Sequence, residues 1–329
     1  MSGFRTAPVG KQILIFIGGC ADENQVTSDL NTLSFGQNST VKNPVVLATN
    51  SSMKKILVTT DFSANSKSAL RFAIQLAAQH EVALTFLHVH NVLRPTSWNA
   101  ATYASHEKHE MAKARTNLNR FVDSVYKILK VSPVNQSFMV INSSLTDSAI
   151  LGYAADHAFD LVCISTRGAG TIEKLFGTTT ANLINQCAVP VIAVPGNYRY
   201  AKVTSILYAS DLSSLQSQVG RVVDFARPLA ATVQLLHFSG HSEPVTDPEI
   251  IKTAVQKFSD YGIDVQVKTL DRTKTLIANL ESAIKISKPS MVIMFTKQDQ
   301  GFFHQLFSAN NSVNYSFLAT VPVLVFSKA

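Results

Sequence analysis

The chain repeats itself, and that repeat limits its fold more than any other feature. Ile206–Leu207–Tyr208–Ala209–Ser210–Asp211–Leu212–Ser213 follows Ile56 to Ser63 position by position, with Asp211 opposite Asp61. Arg221 falls opposite Arg71, and Val233–Gln234–Leu235–Leu236–His237–Phe238 opposite Leu84 to Val89. Farther on, Met291 to Lys297 matches Leu161 to Arg167, and Val321–Pro322–Val323 matches Val189–Pro190–Val191. Repetition over a domain's length indicates duplication and a pseudo-twofold pair. The 329 residues, too many for one ordinary core, agree with two domains.

Within the first repeat, Ile56–Leu57–Val58 reads as a short strand ending in Thr59–Thr60–Asp61–Phe62–Ser63. Ala69, Phe72, Ala73, Leu76 and Ala77 fall at helical spacing and predict a helix over 66–79. Leu84 to Val89 is a second strand, a long helix runs from about Ser105 to Leu129, and Phe138 to Ile141 is a third strand. A helix from Thr146 to His157 and the strand Leu161–Val162–Cys163–Ile164 follow, and Val189 to Val194 closes the unit. Strands alternating with helices imply a parallel sheet, helices on both faces and right-handed crossovers. The expected fold class is α/β, with tandem doubly wound domains over 53–196 and 203–328, linked by Gly196 to Lys202.

Between the last two strands lies a loop, Ser165–Thr166–Arg167–Gly168–Ala169–Gly170, then a helical turn from Ile172 to Phe176, then Gly177 and three threonines opening a helix to about Gln186. Glycines let backbone N–H groups converge on an anion, and a helix N-terminus adds partial positive charge. The same glycines also suit an ordinary turn.

Charge argues against nucleic acid. The formal net charge of +7 is spread as 0 over residues 1–52, +4 over 53–196 and +3 over 197–329, with no dense basic run. No apolar run approaches the length that crosses a bilayer. Three cysteines without close spacing (Cys20, Cys163 and Cys187) fit a reducing compartment, and the expected location is cytoplasmic. Residues 1–52 differ from the remainder, with one apolar patch, Ile13 to Ile17, before a long polar stretch. Ile17–Gly18–Gly19–Cys20 loosely resembles a lipoprotein cleavage site with a short apolar region. The preferred reading makes Met53 the natural start and 1–52 an upstream or accessory extension.

The strand–Thr-Asp-Phe-Ser–helix opening, Leu-His-Val in the second strand, and Gly-Thr before a terminal Val-Pro-Val-Ile-Ala-Val strand together resemble the universal stress protein family, in its two-domain form, over roughly residues 53–328. The resemblance implies Rossmann-like five-stranded parallel sheets in the order 3-2-1-4-5, dimerisation through the last strand, and, in many members, ATP with Mg2+. It places Asp61 at the nucleoside, Thr59 on the adenine side, and the Val89 backbone at the base. Ser165 and Gly168 would flank the phosphates, while Gly177, Thr178 and Thr179 would donate hydrogen bonds to them. The chain departs from the family's Gly-x2-Gly-x9-Gly-Ser/Thr pattern. Ser165 replaces the first glycine, and eight residues rather than nine separate Gly168 from Gly177. Losing one or two hydrogen bonds of about 1 kcal/mol each would weaken binding roughly ten- to thirtyfold.

In the second repeat Gln298, Ser308 and Ala309 stand opposite Gly168, Gly177 and Thr178, so that half reads as a degenerate partner without nucleotide. His88 and His90 share one strand face, a geometrically possible metal pair, yet His88 recurs as His237, which favours a structural role. No Ser/Cys–His constellation, Walker lysine or paired acids mark an enzyme, so at most slow ATP hydrolysis is expected. Two functions compete. One is an ATP-binding stress or regulatory protein, and the other a nucleotide-free tandem scaffold acting through dimerisation or partner docking.

Overall fold

The computed structural model describes residues 53–133, 135–166, 178–199, 202–210, 212, 215–239, 262–271, 273–296 and 320–327. The first half runs β1 (Lys55–Thr59), α1 (Ser66–Gln79), β2 (Ala83–His90), α2 (Ala100–Leu129), β3 (Gln136–Asn142), α3 (Thr146–Asp156), β4 (Leu161–Ser165), α4 (Thr178–Gln186) and β5 (Val191–Val194). The second runs β6 (Ser205–Ala209), α5 (Leu215–Ala226), β7 (Thr232–Ser239), β8 (Ile263–Thr269), α6 (Leu276–Ser287), β9 (Met291–Phe295) and β10 (Val323–Phe326).

The strands form one ten-stranded sheet in the order β3-β2-β1-β4-β5-β10-β9-β6-β7-β8. A five-stranded sheet in each half was the expectation; the structure joins the strands of both halves edge to edge in one sheet. The joint is the antiparallel pair β5–β10, with Val323 opposite Ala193, Leu324 opposite Ile192 and Val325 opposite Val191. Among the described residues all other pairings are parallel.

Parallel strands covered on both faces are apolar at every position, whereas a half-solvated strand alternates. Here successive residues enter opposite layers. Ile56, Val58, Cys163, Ile192, Leu324, Ile293 and Tyr208 point into one, with Phe72, Val122 and Val222 from α1, α2 and α5. Leu57, Val162, Val191, Val325, Val292 and Leu207 point into the other, with Ile150, Leu183 and Leu280 from α3, α4 and α6. Both layers therefore continue across β5–β10.

Local chemistry sets the helix ends. Asn99 caps α2 by accepting from the Thr102 N–H at 2.8 Å, and Lys130 closes that helix in the left-handed conformation at φ 55°. Thr275 caps α6 in the same manner, accepting from the Ala278 N–H. α2 begins five residues before the expected Ser105, and β3 is longer than Phe138–Ile141.

Candidate functional site

β1 and β4 are neighbours whose following helices, α1 and α4, cover opposite faces of the sheet. At such a switch point a crevice opens beyond the strands' carboxyl ends. The turn between β1 and α1 is built by short polar side chains. The Thr60 hydroxyl accepts from the Phe62 N–H at 3.1 Å and lies 2.8 Å from the Ser66 hydroxyl. Asp61 Oδ1 accepts from the Ser63 N–H at 2.9 Å, and Ser63 Oγ accepts from the Ser66 N–H. Phe62 takes the left-handed conformation at φ 64°, a position that discourages side chains unless packing holds them. Its ring stacks on His88 at 4.0 Å and meets Phe121 edge-on.

The result is an exposed Asp61 just beyond the carboxyl end of β1. Burial pushes its carboxyl up, but hydrogen bonds from Ser63 and Ser66 outweigh that and hold it below the usual carboxylate value. It is an anion at neutral pH. Thr59, one turn of the pleat back, is buried, and Val89 is half-buried in β2 opposite Ile141 of β3.

His88 Nδ1 lies 2.9 Å from the Thr60 carbonyl. A carbonyl only accepts, so Nδ1 carries the proton. Burial depresses the ring's pKa below the ordinary histidine value, with the Thr60 hydrogen bond opposing. This histidine thus pins the β1 turn to β2. His90 sits 3.9 Å from Glu110 of α2. Among the described residues no group of three or more His, Cys, Asp or Glu is placed to hold a metal ion.

Ser165 ends β4, and its hydroxyl faces α1. It donates to the Asn65 carbonyl at 2.8 Å and lies 2.8 Å from the Ser68 hydroxyl, which therefore donates to it. Thr178 opens α4. Thr179 donates from its hydroxyl to Asp147 Oδ1 of α3 at 2.7 Å, and Asn182 binds the other oxygen of the same carboxylate. The Thr180 hydroxyl reaches back to the Ser165 carbonyl at 3.4 Å. Asp61, Ser165 and the first turn of α4 are thus brought to one end of the sheet, with the hydroxyls of Ser165 and Thr179 already engaged by protein groups. Gly168 and Gly177, with Arg167, lie outside the described residues, as do Gln298, Ser308 and Ala309 of the second half.

Two residues at this end were not singled out in the sequence. Asp147 shows as an acid in the first turn of α3, but nothing local indicates that it crosses to α4. Thr166, directly after β4, is 1% exposed, and its hydroxyl has no partner among the described residues.

The second half rebuilds the turn. Leu212 is left-handed at φ 65° and donates its N–H to the Ser210 hydroxyl at 3.1 Å, and His237 Nδ1 lies 3.0 Å from the Ser210 carbonyl. Phe62, Thr60 and His88 stand in the same relation.

Comparison with known proteins agrees with this fold. The sequence model of the universal stress protein family matches residues 53–195. A universal stress protein of Mycolicibacterium smegmatis is 24% identical over 147 residues, 43% of this chain and 48% of that protein. The match thus spans about half the length of that relative. Among solved structures, a universal stress protein from Archaeoglobus fulgidus DSM 4304 superposes with a TM-score of 0.61 at 12% identity, covering 84% of this chain and 99% of the other. One from Pseudomonas aeruginosa UCBPP-PA14, described as a putative universal stress protein, gives 0.54 at 13% identity, covering 84% and 93%. These likenesses show the α/β fold with its mostly parallel sheet. Residues 53–195 of the chain thus match the universal stress protein family.

Proposed function

We propose that the crevice beyond β1 and β4 binds ATP, with Mg2+ accompanying the phosphates, and that the protein serves as a stress-response or regulatory module with little or no catalysis. The observation that carries this reading is the exposed, ionised Asp61 at the sheet's switch point, with α4 starting at the same end of the sheet. A carboxylate there suits a ribose or base, and a helix N-terminus suits phosphate. The second half is a degenerate partner: the two halves form a pseudo-dimer within the chain, using the β5 and β10 edges on each other. Residues 53–196 and 203–328 are the two duplicated units of this reading, and the cytoplasm is its proposed setting.

Equilibrium dialysis of the full chain against ATP tests it. We expect one site per chain, weakened at least tenfold in Asp61→Ala and abolished in Gly177→Glu. No binding at millimolar ATP would end the nucleotide reading, and two sites per chain would end the degenerate assignment of the second half.

A second reading, a nucleotide-free scaffold acting through partner docking, draws support from the committed hydroxyls of Ser165 and Thr179. It predicts no binding in the same dialysis.

A further inference from the structure

A cavity of about 690 Å3 opens between α1, the end of α2 and the segment after β5, lined by Arg71, Ile128, Leu129, Asn197 and Arg199. Sites for small molecules commonly measure about 300–1,000 Å3. This place is not the nucleotide crevice. α2 is 30 residues long, about 45 Å at 1.5 Å per residue. Near its start, Tyr103 donates to the Val92 carbonyl just beyond β2; its last turn lines the cavity.

Two cations share the cavity wall. Arg71 is fixed through Nε, which donates to the Tyr198 carbonyl at 3.3 Å. Burial, and then the charge of Arg199, both work against its protonated state. Among the described residues no carboxylate pairs with either arginine. On the rim, Ile128 is 64% exposed, an apolar surface next to unpaired positive charge.

The duplicated half shows the same arginine position settled differently. Arg221 donates from Nη1 to the Ser327 carbonyl at 2.8 Å, a main-chain oxygen just after the last strand of its half. Its guanidinium then lies 4.5 Å from the Phe326 ring and 5.6 Å from that of Phe295. Aromatic faces satisfy that cation. Arg71 instead shares its cavity wall with another cation, an arrangement an anion between them would relieve.

We propose that this cavity binds a small amphipathic anion, with its carboxylate or phosphate head between Arg71 and Arg199 and its apolar body along Ile128 and Leu129. Isothermal titration of the full chain with octyl phosphate, octanoate and neutral octyl glucoside tests this. One molecule of at least one anion binds per chain, the tighter of the two identifying the head group, and the glucoside binds at least tenfold more weakly. Arg199→Ala, at an exposed position where folding is not at stake, weakens the anion about tenfold or more. Arg71→Lys retains part of the affinity, and saturating ATP leaves it unchanged. The proposal is overturned if neither anion binds, if the glucoside binds as well as they do, if Arg199→Ala has no effect, or if ATP displaces the probe.

Discussion

His88 shows how much one side chain holds at the crevice. It bonds the Thr60 carbonyl, stacks on Phe62 and is kept neutral chiefly by burial. The sign of its pH effect follows from the depressed pKa. Above the ordinary value of 6.5 the ring is neutral folded or unfolded, and its contribution is intact. As pH falls below that value the unfolded chain takes up the proton first, and stability is lost until the folded pKa is passed. Urea unfolding at pH 7.5 and 5.5 should show a drop in midpoint that is smaller in His88→Asn; an equal drop in both proteins would contradict this. The sequence already pointed to a structural histidine, because His88 recurs as His237. What it did not disclose is the partner, since Thr60 and His88 are 28 residues apart and meet only through β1–β2 pairing.

At the scale of elements, Ser165 ties β4 to the start of α1 through Asn65 and Ser68. A glycine there would let the backbone approach a phosphate more closely, but it would leave the fully buried Ser68 hydroxyl without this partner. Ser165→Gly should therefore cost about 1–2 kcal/mol of stability while tightening ATP, read by urea unfolding and dialysis together. Tightening without destabilisation would mean that the Ser68 contact contributes nothing. The elements themselves were legible where burial imposes a pattern. Continuous apolar runs marked β1, β4, β6 and β9, and helical spacing placed α1 at the residues observed. The start of α2 was not legible, because Ala100 to Ser105 lacks an apolar face. It is set by the Asn99 cap and by Tyr103, which reaches the Val92 carbonyl and the Asn142 amide.

For the whole molecule, the decisive contact is β5 against β10. Ile192 and Leu324 face each other across it, both fully buried, and both core layers pass through it. Calorimetry should record one cooperative transition for residues 53–329. Leu324→Asp, which buries a charge at the joint, should cost about 4 kcal/mol or more and divide that transition in two. A single undivided transition in the variant would show that the halves are coupled elsewhere. The sequence by itself determined that each half alternates strand and helix, that stretches of the first half recur in the second, and that Asp61 stands at a strand's carboxyl end. Those properties reside in periodicity and repetition, which are local. That the strands of both halves join in one sheet, that the Ser165 and Thr179 hydroxyls turn toward α1 and Asp147, and that Arg71 and Arg199 line one cavity were decided by tertiary structure alone. Edge pairing and hydroxyl direction depend on groups far apart in the chain, and an apolar strand is the same string of residues whichever edge it finds.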